Sequence, residues 1–132
     1  MGTIDNKMLV RSFYEAGNRG DMEACLSLID EDVVWKNMGS TRFSGIFRGK
    51  KELVEKLLDP LFQRLRSGLS SEIELLVAED DRVVALTSGK AETVDGRPYN
   101  NKYCHVIRIQ HGRFVEVIEY LDTELVTRTF GR

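Results

Sequence analysis

Residues 98–122 read PYNNKYCHVIRIQHGRFVEVIEYLD, and this stretch decides the fold. Apolar and polar residues alternate on both sides of the tetrapeptide Gln110-His111-Gly112-Arg113, which is typical of two strands joined by a tight turn. Side chains alternate along a strand, so one face of the first arm is predicted to carry Asn101, Tyr103, His105, Ile107 and Ile109. We therefore expect a long antiparallel hairpin with a histidine on an otherwise largely apolar face.

The second arm is predicted to bring a carboxylate near that histidine. One of its faces carries Val115, Val117, Glu119 and Leu121, and the other carries Glu116, Ile118, Tyr120 and Asp122. His105 lies five residues before Gln110 and Glu119 lies six residues after Arg113. Since neighbouring strands are about 4.8 Å apart, the two side chains should be within reach of each other. Apolar surroundings of this kind shift pKa values, which is typical of functional sites.

Two amphipathic helices are predicted before the sheet. Apolar residues at helical spacing run from about Thr3 to Asn18, and Gly17 with Gly20 closes that segment. Asp21 is a suitable N-cap for a second, shorter helix, which should end before the acidic triplet 30–32. These segments predict a small helical hairpin.

A short strand pair and a third helix are predicted next. The first strand should begin at Val33, and a second extended piece should cover residues 43–47. Residues 50–66 carry a wide apolar stripe, so they are predicted to form a helix that covers a sheet. Pro60 should kink or split this helix, because proline lacks the backbone N–H and clashes with the preceding turn.

The segments that follow this helix, up to residue 122, are all predicted to form strands. Residues 72–78 and 83–94 predict two strands, Gly89 marks a bulge or bend, and Asp95-Gly96 is a hairpin signal. The tail 123–132 is predicted to form a short helical turn. Helices segregated from a mostly antiparallel sheet indicate the α+β class. A curved sheet wrapped around a long amphipathic helix leaves a cavity at its wide end, where a small ligand could bind.

Composition and charge exclude several classes of protein. The chain has 132 residues, which is a single-domain length, and its net charge of -2 without clustered basic residues argues against a nucleic-acid surface. No apolar run approaches a membrane span, and residues 1–15 lack the features of a secretory signal, so we expect a cytoplasmic protein. Cys25 and Cys104 lack any metal-ligand or redox spacing and are predicted to be free thiols.

The order of elements resembles that of a known superfamily. The Gly20-Asp21 turn, the segment Asp32-Val-Val-Trp35 and the ending Glu116-Val-Ile-Glu119-Tyr-Leu-Asp122-Thr are similar to the NTF2-like superfamily, and within it to SnoaL-like and ketosteroid-isomerase-related proteins. The resemblance covers nearly the whole chain. It implies a cone-shaped α+β domain with an apolar pocket, typically in a homodimer. It leaves the reaction open, because these proteins include isomerases, polyketide cyclases, epoxide hydrolases, dehydratases and non-catalytic binding modules.

Residue by residue, the resemblance to ketosteroid isomerase is incomplete. That enzyme, a standard example of pKa tuning, combines a carboxylate base with an oxyanion hole made of a tyrosine and a protonated aspartate. In this chain the base position falls on Asn37, the tyrosine position on Phe13 and the second acid on His105. An amide cannot accept a proton at neutral pH and phenylalanine has no hydroxyl, which argues against steroid isomerisation by that mechanism.

The resemblance to limonene epoxide hydrolase is also partial. The segment Trp35-Lys-Asn37-Met38 is similar to the stretch that helps to hold the attacking water, and Glu119 falls at one of the two catalytic aspartates. The strand that should supply the arginine and the other aspartate reads Ala85-Leu-Thr87-Ser-Gly89-Lys90 and has neither. Epoxide hydrolysis would require a rearranged mechanism.

These observations select a set of candidate site residues. His105 is the predicted proton carrier, Glu119 its partner, and Asn37 and Tyr103 are predicted to position substrate or water. Predicted ligand contacts are Trp35, Phe13, Tyr14, Asn101, Leu121 and Phe62. No metal or organic cofactor is implied.

Two readings of function remain open. One is an enzyme that acts on a small apolar molecule by general acid/base catalysis, of the isomerase, cyclase, dehydratase or hydrolase type. The other is a binding protein with the same pocket and no turnover. In both, a homodimer is expected through the outer face of the sheet, which is predicted to carry Cys104, Val106, Arg108, Ile118 and Tyr120.

Overall fold

The protein, described by a computed structural model over residues 2–132, begins with a helical hairpin. Helix α1 spans Thr3–Asn18 and helix α2 spans Met22–Ser27. The carboxylate of Asp21 accepts a hydrogen bond from the backbone N–H of Ala24 at 3.0 Å, so it caps α2 as predicted. Both predicted helices are confirmed.

Within residues 2–132, six strands form one curved sheet. In chain order they are β1 Ile29–Asn37, β2 Gly45–Arg48, β3 Ser70–Glu79, β4 Arg82–Lys90, β5 Lys102–Gln110 and β6 Arg113–Leu121. Their spatial order is β2-β1-β6-β5-β4-β3. The β1–β6 pair is parallel and every other pair is antiparallel. The α+β class is therefore confirmed, and the sheet is mixed because it includes one parallel pair.

The predicted boundaries of three strands were wrong. Strand β1 starts at Ile29 rather than Val33, because the backbone of the acidic triplet joins the strand while Glu31 and Asp32 remain exposed. Strand β4 ends at Lys90 and β5 begins at Lys102, so residues 91–101 form a loop with only isolated bridges. The turn at Gly96 lies within this loop, and Pro98 cannot donate to a strand ladder.

The hairpin of β5 and β6 has the predicted turn and one unexpected bulge. Gln110 pairs with Arg113, and His111 and Gly112 both have positive φ, as tight hairpin turns require. Ile109 pairs with Phe114 and Arg108 pairs with Glu116, which leaves Val115 as an extra residue. The prediction that Val115 shares the inner face was therefore wrong, and the buried Phe114 takes that position.

The third helix is interrupted where Pro60 predicts it. Helix α3 comprises an α-helical segment Lys50–Leu53, a π-helical segment Val54–Leu58 and an α-helical segment Asp59–Phe62. The missing N–H of Pro60 removes one bond of the α-helical ladder at the point where the wider π turn ends. The helix stops at Phe62 instead of Arg66. Within residues 2–132, no helix has both the length and the apolar character needed to cross a membrane.

The helices cover the inner face of the sheet and close its ends. Helix α1 packs across β3 and β4, and the start of α3 packs against β1 and β2. Helix α4, Thr123–Phe130, is capped by the carboxylate of Asp122 and buries Val126 and Phe130. Space remains between α1, α3 and the inner sheet face, and this space forms the candidate site.

Candidate functional site

A cavity of about 530 Å³ lies between the sheet, α1 and α3. This volume falls within the usual range for small-molecule sites. The sheet contributes residues such as Trp35, Asn37, Tyr103, His105 and Glu119, while the wall facing them is mostly leucine and phenylalanine from α3. The cavity is therefore apolar over most of its surface and polar at one end.

His105 and Glu119 form a hydrogen-bonded pair at the polar end. They are direct cross-strand partners in the β5–β6 ladder, so both side chains point to the inner face. His105 Nε2 lies 2.8 Å from Glu119 Oε1, and the two side chains are only 10% and 13% exposed. The predicted proximity of these two residues is confirmed.

Tyr14 completes a series of three hydrogen-bonded groups. Its hydroxyl oxygen lies 2.5 Å from His105 Nδ1, although the two residues are 91 positions apart in sequence. Burial raises the pKa of the Tyr14 hydroxyl well above its ordinary value, and the negative charge of Glu119 raises it further. Tyr14 therefore keeps its proton at neutral pH.

The positions of the protons follow from the chemistry of the three groups. A carboxylate only accepts hydrogen bonds, so His105 Nε2–H donates to Glu119. In the neutral imidazole, Nδ1 then accepts the bond that the Tyr14 hydroxyl donates. Both ring nitrogens of His105 are occupied by protein groups. His105 thus has no free nitrogen for a ligand, and a ligand reaches it through Tyr14.

Aromatic rings surround the imidazole of His105. The ring centroids of Tyr103 and Tyr14 lie 5.8 Å and 5.9 Å from that of His105, and the planes of the Tyr103 and His105 rings are 13° apart. The Trp35 ring meets the imidazole edge-on, with the two centroids 6.0 Å apart. Burial also raises the pKa of Tyr103. Gly89 makes room for the Tyr103 ring, because a Cβ at that position would lie 2.7 Å from the ring carbon Cε2. The strand glycine noted in the sequence therefore shapes the cavity wall.

Asn37 and Trp35 each carry a polar atom without a partner. Asn37 Nδ2 donates to the carbonyl of Phe43 at 2.8 Å, which fixes the amide, while Asn37 Oδ1 accepts no hydrogen bond within residues 2–132. Trp35 Nε1 is similarly buried without an acceptor in the described part of the chain. Buried polar groups of this kind are uncommon and are often found at functional sites.

The structure brings the predicted ligand contacts together with one exception. Phe13, Phe62 and Leu121 line the cavity with Tyr14 and Trp35. Asn101 lies outside the lining, and its side chain instead bonds to the Tyr99 hydroxyl and to both backbone groups of Asp122. The structure therefore places Asn101 apart from the other predicted ligand contacts, because its amide joins β5 to the start of α4.

Some lining residues were not predicted from the sequence. Tyr99 lines the cavity and is buried, and the two-residue alternation of Tyr99, Asn101, Tyr103 and His105 could have indicated it. Phe43 also lines the cavity, but it follows a turn-rich segment in which no period is readable. No group of three or more His, Cys, Asp or Glu side chains within residues 2–132 is arranged to hold a metal ion.

Comparison with known proteins gives consistent matches. The SnoaL-like domain family matches residues 10–117. Among solved structures, an NTF2-like protein from Burkholderia pseudomallei is 24% identical with a TM-score of 0.85, and 100% of each chain is covered. Bal32a, from a soil-derived mobile gene cassette, is 24% identical with a TM-score of 0.84 and 98% of each chain covered.

A third solved structure is of a candidate isomerase from Bacillus subtilis. It is 21% identical to this chain with a TM-score of 0.80, and 99% of this chain and 96% of that chain are covered. Comparison with curated protein sequences gives no match. At these identities the structural likeness establishes the fold.

Proposed function

Because the chain belongs to the SnoaL-like domain family, we propose that it is an enzyme that acts on a small, mostly apolar molecule by general acid/base catalysis. The observation that carries this proposal is the hydrogen-bonded series Tyr14–His105–Glu119 at the polar end of the cavity. An isomerase or cyclase type of reaction fits best, because such reactions need a proton to be removed and returned within one enclosed site.

The series supports a proton relay with balanced steps. When the Tyr14 oxygen accepts a proton from an acidic C–H or O–H of the substrate, its own proton passes to His105 Nδ1. The resulting imidazolium is stabilised by the carboxylate of Glu119, 2.8 Å from Nε2. The reverse transfer returns a proton to the product. Tyr14 stays neutral at both ends of the step, which is consistent with a raised pKa that disfavours the phenolate.

Other cavity groups would hold the substrate. Trp35 Nε1 is a hydrogen-bond donor without a partner and Asn37 Oδ1 is an acceptor without one, both judged over residues 2–132. By their chemistry, Trp35 Nε1 would donate to a carbonyl of a substrate and Asn37 Oδ1 would accept from a hydroxyl. Tyr103, which also lines the cavity, would help to position the substrate. The leucine and phenylalanine side chains of α3 would exclude water from the apolar part of the substrate.

Deuterium exchange with model compounds tests the relay and does not require the natural substrate. The protein is incubated in D2O with a panel of small aryl ketones and enones, and incorporation at the α-carbon is followed by NMR. We expect catalysed exchange for some panel members and its loss in the variant His105→Ala. The matched control is His111→Ala, in the exposed turn of the same hairpin. Ligand binding without any exchange or consumption would identify a binding module instead.

The outer face of the sheet supports a homodimer. Four apolar or aromatic residues on this face are between 36% and 52% exposed: Leu75, Val77, Leu86 and Tyr120. In the sheet they are neighbours of the predicted patch of Cys104, Val106 and Ile118. Both signs of charge lie on the rim, with Arg108 bound to Asp81 and Lys102 bound to Glu74. In a two-fold dimer the same surface of both subunits meets, so a rim with both positive and negative charges can pair with itself. The proposed partner is therefore a second copy of this chain.

Sedimentation equilibrium tests the homodimer. The variant Val77→Glu is expected to shift the protein to the monomer, because it places a charge on the apolar face that the proposed interface would bury. Ile4→Glu, on the exposed surface of α1, is the control and should leave the mass unchanged. A wild-type protein that sediments as a monomer would contradict the proposal.

A further inference from the structure

The charges around the cavity restrict the class of ligand. Among residues 2–132, the cavity lining includes no lysine or arginine, while it includes two acidic residues, Asp59 and Glu119. An anion moved from water into such a site would lose its hydration without gaining an ion pair. The site is therefore unfavourable for carboxylates, phosphates and other anionic molecules.

Glu119 has one oxygen that no described protein group binds. Its Oε1 accepts the bond from His105, whereas its Oε2 accepts no hydrogen bond within residues 2–132, and the residue lines the cavity. The acidic side chains of the lining, which have no basic counterpart there among residues 2–132, are a second feature of the cavity. A ligand group that donates hydrogen bonds and carries a positive charge would satisfy both features at once.

Aromatic rings add a second attraction for a cation. Tyr14, Trp35 and Tyr103 all have ring centroids within about 6 Å of the ring of His105, whose Nε2 bonds to Glu119. Tyr99 and Phe43 also line this cavity. Electron-rich ring faces attract ammonium groups, and their effect increases where water is excluded.

We propose that the ligand of this cavity is an apolar, ring-bearing molecule with a protonated amine, which binds to Oε2 of Glu119 beside the aromatic cluster Tyr14, Trp35 and Tyr103. This inference rests on the proposed function, because it gives a ligand class to the same cavity. The apolar rings would contact the leucine and phenylalanine wall of α3. The amine would lie at the polar end, next to the proton relay.

Isothermal titration calorimetry at pH 7.5 with three matched naphthalene compounds tests the proposal. The probes are 2-naphthylmethylamine, 2-naphthylmethanol and 2-naphthoate, which differ mainly in charge. We expect the amine to bind at least tenfold more tightly than the alcohol, and the naphthoate to bind at least tenfold more weakly than the alcohol. In Glu119→Gln the preference for the amine over the alcohol should fall to within about threefold.

Glu116→Gln is the matched control. Glu116 is on the same strand but on the outer face, where it pairs with Lys36 at 3.4 Å, so this variant should retain the full preference for the amine. Equal binding of amine and alcohol to the wild type, tighter binding of the naphthoate, or no binding of any probe below about 1 mM would each overturn the proposal. The relay is judged separately by deuterium exchange in His105→Ala.

Discussion

The variant Tyr14→Phe is expected to lower the rate of catalysed exchange by about 10²–10⁴-fold, which is the usual contribution of a positioned acid/base group. The Tyr14 hydroxyl is the group that connects His105 Nδ1 to the cavity, at 2.5 Å. Phenylalanine keeps the ring and its packing against Phe13, so the fold should be retained. The measurement is the initial rate of α-deuteration by NMR for the best substrate of the ketone panel.

The control for this prediction is Tyr120→Phe. Tyr120 is on the same strand as Glu119 but on the outer face and is 47% exposed, so removal of its hydroxyl should leave the rate within about twofold. A rate in Tyr14→Phe within about threefold of the wild type would contradict the relay. His105 would then have to exchange protons with the substrate directly, and its bond to Tyr14 would have no catalytic role.

The variant Asn101→Ala is expected to lower the free energy of unfolding by about 3 kcal/mol, because several buried hydrogen bonds are lost and their partners remain unpaired. The Asn101 side chain is 1% exposed. Its Oδ1 accepts from the backbone N–H groups of Lys102 and Asp122, and its Nδ2 donates to the Asp122 carbonyl and the Tyr99 hydroxyl. Urea denaturation measures the change, and the thermal midpoint should fall by roughly 10 °C.

The neighbouring residue provides the control for Asn101→Ala. Asn100 is exposed and accepts one long bond from the backbone of Ala91 at 3.4 Å, so Asn100→Ala should change the free energy of unfolding by less than about 0.5 kcal/mol. A loss below about 1 kcal/mol in Asn101→Ala would mean that the loop of residues 91–101 is held by other contacts.

The elements with a strong local period were predictable from the sequence. The bounds of α1, the cap at Asp21 and the turn at Gln110–Arg113 follow from residues close together in the chain. The nearness of His105 to Glu119 was also predictable from the alternation of the two arms. Their direct pairing was not, because the turn alone would place Ile118 opposite His105, and the bulge at Val115 shifts the register by one residue. That bulge depends on how Phe114 packs in the core.

The candidate site was predictable only in part. Alternation put His105 and Glu119 on the inner face, but it could not distinguish Asn101, which bonds to the start of α4, from Tyr103, which lines the cavity. Both residues are on the same face of one chain segment. Their roles differ because Asp122 and α4 occupy the space beside Asn101, whereas the space beside Tyr103 is open.

By itself, the sequence determined the helical hairpin, the β-hairpin and the inward direction of the histidine and the glutamate, because these depend on local periodicity and turn chemistry. Only the tertiary structure decided that Tyr14 bonds to His105 and that both imidazole nitrogens are occupied. That contact joins a helix to a strand 91 residues away, so its geometry is set by the packing of α1 against the sheet, which no local pattern encodes.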